Sequence, residues 1–222
     1  MSGRSVAARS VQAAALLFAG LGAYHLGVRP ALCRWGADDG EVTRPFPGDG
    51  RIAEPFVVST RAVSVAAEAS DIWPWLVQMG DGRGGLYSLD WLDMLFGYIH
   101  APSAAVVLPQ YQDLAVGDVI PLGRGPDWPV VTVDRERALV VEPVSTGVTW
   151  CWAIIPTADR QARLVSRVRL RTGSRWMLWV LAPAIDLPWF VMERQMLRGI
   201  ARRAEALARS RGAGSGGLAH VG

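Results

Sequence analysis

The apolar and polar positions of the chain change period several times, and each change marks an element. Residues 10 to 28 (SVQAAALLFAGLGAYHLGV) contain no Asp, Glu or Arg. As a helix rising about 1.5 Å per residue, such a run just reaches across about 30 Å of hydrocarbon. Pro30, Pro45, Pro47 and Pro55, with Gly and Asp between them, predict an extended linker with turns over residues 31–55. Alternation then predicts a strand over about 57–66, with Ala62, Ser64 and Ala66 on one side and Arg61, Val63 and Val65 on the other. Ser70 reads as the N-cap of a short helix over 71–79, with Pro74 in its first turn and Gly80 as its stop. A second helix is predicted over 89–97 with Ser88 as cap. Short strands follow at 118–122, 130–133, 138–142, 148–155 and 163–171. Their spacing of about ten residues, with Gly, Pro and Asp between, predicts an antiparallel meander. Finally Trp189, Met192, Met196, Ile200, Ala204 and Leu207 recur at steps of three and four, giving a helix over 187–208 with one apolar face.

The order is therefore a strand, two helices, a run of antiparallel strands and a long terminal helix. It predicts an α+β domain in which a curved sheet wraps a long amphipathic helix and leaves a cavity between them. Four segments result: a membrane anchor at 1–30, a linker at 31–55, the folded domain at 56–209, and a Gly-rich tail at 210–222 that reads as disordered. Arg4 and Arg9 precede the apolar run and Arg29 and Arg34 follow it, while Tyr24 and His25 suit an interface near one end. A cleaved signal peptide and a buried soluble helix compete with the anchor. No clean small-x-small site lies in AYHLGV, but small residues upstream leave cleavage open. Arg44 and Arg51 further along favour a cytoplasmic main domain.

Composition removes whole reaction classes. All 23 basic residues are arginine, so Schiff-base lysines, phosphate-loop lysines and lysine general bases are excluded. Two cysteines without a CxxC pair give no disulfide framework, and three scattered histidines give no metal site. No cofactor is implied. The arginines are dispersed rather than gathered with aromatics, which argues against nucleic acid as a partner. Gly80-Asp81-Gly82-Arg83-Gly84-Gly85 satisfies GxGxxG by letter, but a dinucleotide site needs a strand before it, and the preceding residues read as helix. The loop instead suits positive φ between two helices at a cavity mouth.

The candidate site follows from the faces. Gln78, Tyr87 and Asp90 lie beside the glycine loop and are the polar candidates, with Tyr87 or Asp90 as proton donor or acceptor if a reaction occurs. Asp90 and Asp93 also suit the dipole of the second helix. Trp150 and Trp152 alternate onto one face of a strand, with Ile154 beyond them. In the neighbouring strand Leu164, Ser166, Val168 and Leu170 share one face, while Arg167 and Arg169 take the other, where a ligand carboxylate is one possible partner. Trp150, Trp152, Ile154, Ser166 and Val168, with Met192 and Met196 on the helix, are read as cavity lining, although plain core packing explains the same pattern. Arg194, Arg198 and Arg202 form a like-charged column, either solvated or facing anionic lipid headgroups. The apolar stretch 176–192 is long enough to suggest a second membrane segment, against which Pro183, Asp186 and Pro188 argue.

The stretches RWGADDGEV (34–42), RPFPGD (44–49), DIWPWLVQMGDGRGGLYSLDWLD (71–93), LPQYQDLAVGDVIPL (108–122), RLVSRVRLR (163–171) and FVMERQMLRGIARRAE (190–205) resemble the SRPBCC superfamily. That superfamily has the helix-grip fold of START domains and polyketide cyclases, and within it the chain looks like the membrane-anchored actinobacterial proteins. The resemblance spans nearly all of the folded part. It implies a cavity for an apolar or amphipathic small molecule such as a lipid, isoprenoid or polyketide-like compound, held near a bilayer. A cyclase or dehydratase using the same cavity, or a structural membrane protein with a filled core, are the alternatives. Fold alone does not choose among them.

Overall fold

The computed structural model describes residues 3–143, 147–157, 160–171 and 173–216. An N-terminal helix α1 (Gly3–Ala23) runs through a π-type stretch, Tyr24–Val28, into α2 (Arg29–Cys33). A single turn α3 (Asp39–Thr43) follows, closed by a reciprocal capping box between Asp38 and Glu41. The domain proper is β1 (Val57–Val65), α4 (Ala69–Val77), α5 (Asp90–Phe96), then β2 (Val119–Ile120), β3 (Trp128–Asp134), β4 (Ala138–Val141), β5 (Val148–Pro156) and β6 (Ala162–Leu170). It closes with the 42-residue helix α6 (Arg175–Gly216).

All strands pair antiparallel in the order β1-β6-β5-β4-β3-β2, so the first strand returns beside the last and the sheet curls around α6. This is a helix grip, as the element order predicts. Alternation splits the sheet into two faces. Leu139, Val141, Trp150, Trp152, Ile154, Leu164 and Val168 face α4 and α6 in the main core. Ala62, Ala138, Val140, Cys151, Ala153 and Val165 form a second, smaller core on the outer face with Phe46. Phe46 belongs to the segment expected to be a linker, so that segment is not free chain. Arg163 grips Glu41 with two hydrogen bonds of 2.7 and 2.8 Å, and Arg167 donates to the carbonyls of Glu41, Val42 and Arg44 and to Asp49. Arg169 donates to the Ile52 carbonyl. Three strand arginines thereby hold residues 41–52 on the sheet, and prolines alone gave no hint of that partner.

Other boundaries shift for local reasons. Helix α4 starts two residues early, with Glu68 rather than Ser70 at its N-cap, so Pro74 lies inside it and not in the first turn. Leu89 takes the N-cap of α5, and the Ser88 hydroxyl reaches past the backbone to the Asp93 carboxylate. The largest difference is α6, which begins at Arg175, not near 187, and runs straight through Pro183 and Pro188. A proline leaves the carbonyl four residues back without its helical donor. For Pro183 that carbonyl is Trp179, and His25 of the N-terminal helical run donates to it from Nε2 at 2.8 Å. Asp186, the other objection to a continuous apolar helix, is neutralised by Arg29 at 2.7 Å and by the Tyr24 hydroxyl at 2.9 Å. The helix also continues past Ala208 as far as Gly216, so the first part of the expected disordered tail is helical; residues 217–222 lie outside the described part.

Candidate functional site

Between the inner face of the sheet, α5 and α6 lies a cavity of about 390 Å³. The sheet contributes Trp128, Val148 and Trp150, and α6 contributes Ile185, Trp189, Met192, Glu193 and Met196. Leu86, Ser88, Asp93 and Phe96 come from α5 and the turn before it. The indoles form a continuous wall: Trp150 lies 4.9 Å from Trp128, 4.6 Å from Trp152 and 5.4 Å from Trp189 between ring centroids. Trp150 is fixed in place by a 2.6 Å hydrogen bond from its Nε1 to the Ser166 hydroxyl. Ile185, Trp189 and Phe96 line the cavity yet are exposed, which marks its opening.

Two carboxylates break the apolar wall. Asp93 is fully buried; one oxygen accepts from Ser88, and the other, Oδ1, has no hydrogen-bond partner among the described residues. Removal from water is the main cause that pushes its carboxyl up to about 6, with neighbouring Asp90 adding to the rise and Ser88 opposing it. Glu193 is 2% exposed and pairs with buried Arg61. Its Oε2 also accepts from Trp189 Nε1 at 2.6 Å, and its Oε1 has no partner among the described residues. Arg61 is itself held by the Leu32 carbonyl at 2.8 Å, so the end of the N-terminal helical run is tied to the cavity wall. No group of three or more His, Cys, Asp or Glu able to hold a metal occurs among the described residues.

The residues singled out from the sequence divide in two. Trp150, Met192 and Met196 lie together on the cavity wall. Trp152, Ile154, Ser166 and Val168 share the inward face but lie outside that wall; Trp152 backs Trp150, and Ser166 positions it. Gln78, Tyr87 and Asp90 come together elsewhere, in a saturated polar knot. Gln78 Nε2 donates to the Tyr87 hydroxyl at 2.9 Å, and its Oε1 accepts from the Leu108 backbone at 2.8 Å. Ser103 donates from its hydroxyl to Asp90 at 2.6 Å and accepts from the Tyr87 backbone at 2.9 Å. Tyr87 has a positive φ of 58° and carries Arg203 over its ring at 4.8 Å. Burial raises its phenol well above the usual range. These groups hold the turn before α5 rather than facing the cavity. The glycine loop does have positive φ at Gly80, Gly82 and Gly85, but it is closed by a Gly80–Gly85 bridge and stands away from the mouth.

Arg167 and Arg169 are taken up on the outer face, so neither reaches a ligand carboxylate. Arg194 and Arg198 of the basic column stack over Trp35 at 5.1 and 5.3 Å, which leaves Arg202 as its exposed member. Asp93 and Glu193 were the residues that sequence reasoning undervalued. Asp93 looked like a helix-dipole partner, and Glu193 had no signal until Arg61 was placed opposite it.

No protein-family model matches the chain, and no curated protein matches it in sequence. Among solved structures it is similar to the KanY protein, at 9% identity over 67% of this chain and 97% of that one, with a TM-score of 0.42. A protein from Thermobifida fusca is 17% identical over 68% of this chain and 94% of its own, with a TM-score of 0.41. A polyketide-cyclase-like protein from Corynebacterium glutamicum is 12% identical over 76% and 99%, with a TM-score of 0.33. At such identities the likeness concerns the fold alone, and the helix grip stands on the sheet order and helix placement described above.

Proposed function

We propose that the chain is a membrane-anchored binding protein for an apolar or amphipathic small molecule. The observation that carries this reading is the cavity between sheet and helix, walled by indoles and methionines and opening at Phe96, Ile185 and Trp189. Ligand surface moved from water into such a wall contributes about 25 cal/mol per Å², and a few polar groups set its orientation. The opening adjoins apolar surface. Helix α6 exposes Trp176, Val180, Leu181 and Leu187 on the same stretch, and α5 exposes Trp91 and Leu95 beside Phe96. Both the N-terminal helical run from Arg9 to Cys33 and α6 from Arg175 are long and apolar enough to cross a membrane. In this reading the N-terminal run anchors the chain, the first turns of α6 lie beside it in the bilayer, and the domain stands on the cytoplasmic side. A ligand that partitions into lipid then meets the opening without crossing water.

Native mass spectrometry with lipid extraction tests the reading on the full chain purified from its source host. A stoichiometric apolar molecule is expected to travel with the protein. A ligand-free protein that also fails to take up fluorescent lipids would overturn it.

A second reading has one observation in its favour. The Asp93 carboxyl, pushed up to about 6 inside an apolar cavity, is the kind of group that gives or takes a proton near neutral pH. If the cavity turns a substrate over, Asp93, and not Tyr87 or Asp90, is the acid–base residue. In that case Asp93→Asn abolishes turnover and leaves occupancy of the cavity in place.

A further inference from the structure

Among the described residues, the cavity wall carries two carboxylates and no arginine or histidine. Each carboxylate, on a residue at most 2% exposed, keeps one oxygen without a hydrogen-bond partner. Buried acceptors without donors are unfavourable, so a molecule that supplies donors is favoured over one that does not.

The charges are unequal. Glu193 is balanced by Arg61, whereas among the described residues no cation pairs with the Asp93 carboxylate, whose hydrogen-bond donor there is the neutral Ser88 hydroxyl. The cavity therefore holds one uncompensated negative charge close to neutral pH. Around it stand Trp128, Trp150, Trp189, Phe96 and Tyr98, whose ring faces attract a cation and give a fatty-acid carboxylate nothing.

We propose that the cavity selects organic amines in their protonated form, with the apolar body among Trp128, Trp150 and Trp189 and the ammonium N–H groups on Asp93 and Glu193. This rests on the cavity being a ligand site, and it names the class of ligand. It opposes the expectation that an amphipathic ligand would be held by its carboxylate, because Arg167 and Arg169 are taken up on the outer face of the sheet and, among the described residues, no arginine lines the cavity.

The test compares three rigid probes with the same body, 1-adamantylamine, 1-adamantanol and adamantane-1-carboxylate. Calorimetry is run on the full chain in phosphatidylcholine nanodiscs, with empty discs subtracted. The amine is expected to bind most tightly and the carboxylate at least about tenfold more weakly, since charge-assisted hydrogen bonds are the strong ones. Asp93→Asn is expected to bring the amine down to the level of the alcohol. The unaltered chain supplies an independent reading. The groups around Asp93 are Ser88, Asp90 on its own helix, and Tyr98 and Glu193 on the cavity wall, with Arg61 paired to Glu193 and Arg124 packed on the Gly97 cap of the same helix. Amine affinity is expected to fall as pH drops through about 6, where Asp93 takes up its proton, while alcohol affinity stays level. Carboxylate binding equal to or tighter than that of the amine, or an amine preference untouched by both Asp93→Asn and pH, overturns the proposal and leaves the cavity as a ligand site. Binding of none of the three probes overturns the proposal; failure of the ligand-site reading is then read separately, from whether any apolar molecule travels with the protein.

Discussion

The Arg61–Glu193 pair is the most consequential contact between single residues. Both side chains are almost completely buried, and each is held by further hydrogen bonds, from Trp189 to the carboxylate and to the Leu32 carbonyl from the guanidinium. Removing one partner strands the other charge in the core. Arg61→Leu is therefore expected to lower unfolding stability by about 3–5 kcal/mol, and Arg61→Leu with Glu193→Leu to recover most of that loss. Urea denaturation of both variants checks it; equal losses would mean that lost packing, not charge, dominates. Asp93 makes the opposite prediction. Its folded-state value lies above that of the unfolded chain, so the native state binds the proton more tightly. Stability is then lost as pH rises through about 6 and stays lower above it. Asp93→Asn should raise the thermal midpoint at about pH 7.5, with the gain shrinking by about pH 5. A gain that is constant with pH would show that desolvation of the charge is not its cause. Neither residue was legible in the sequence, because each acquires its meaning from an element far away along the chain: Glu193 from β1, Asp93 from the indoles of β3 and β5.

At the scale of elements, strands and helices were readable wherever one face is buried and the other is not. The alternation that puts Trp150 and Trp152 with Ser166 and Val168 on one face is the alternation found in the paired strands. What could not be read was how two elements touch. Helix α6 presses against the turn before α5 at Gly199, where an added Cβ would stand 2.0 Å from the Tyr87 carbonyl oxygen. Tyr87 is already at positive φ and fixed by Gln78, Ser103 and Arg203, so it has no room to yield. Gly199→Ala is expected to cost about 1–3 kcal/mol by overpacking, although alanine is the better helix former by about 1 kcal/mol. Chemical denaturation decides the sign: a stabilised variant would mean that the α6–turn contact relaxes freely. The same limit explains the misread start of α6. Two prolines and an aspartate break a helix in isolation, and only the partner groups of the N-terminal run, His25 on the Trp179 carbonyl and Arg29 with Tyr24 on Asp186, remove the objection.

For the whole molecule, those contacts join the N-terminal helical run to the domain. Phe18 and His25 stack on Trp179, at 6.5 and 4.8 Å between ring centroids, and the contacts continue through Arg29 and Leu32 to Arg61, which pairs with Glu193 of the cavity wall. If the first turns of α6 lie in the bilayer beside the N-terminal run, as proposed, membrane contact does not depend on that run alone. Trp176 and Leu187 on one side of α6 and Leu181 and Ile185 on the other remain exposed, as do Trp91 and Leu95 of α5. A helix segment that stays apolar and exposed all round is a membrane or protein contact. A chain lacking residues 1–23 keeps Tyr24 and Arg29 for Asp186, His25 for the Trp179 carbonyl and the Leu32 carbonyl for Arg61, so the domain retains its own ties. That shortened chain is expected to sediment with phosphatidylcholine vesicles, and Trp176→Ser with Leu181→Ser to release it to the supernatant. A shortened chain that stays soluble without those substitutions would make the N-terminal run the sole bilayer contact and turn the cavity opening towards water. The ligand would then have to arrive through solvent, which favours a compact amine over a long-chain one.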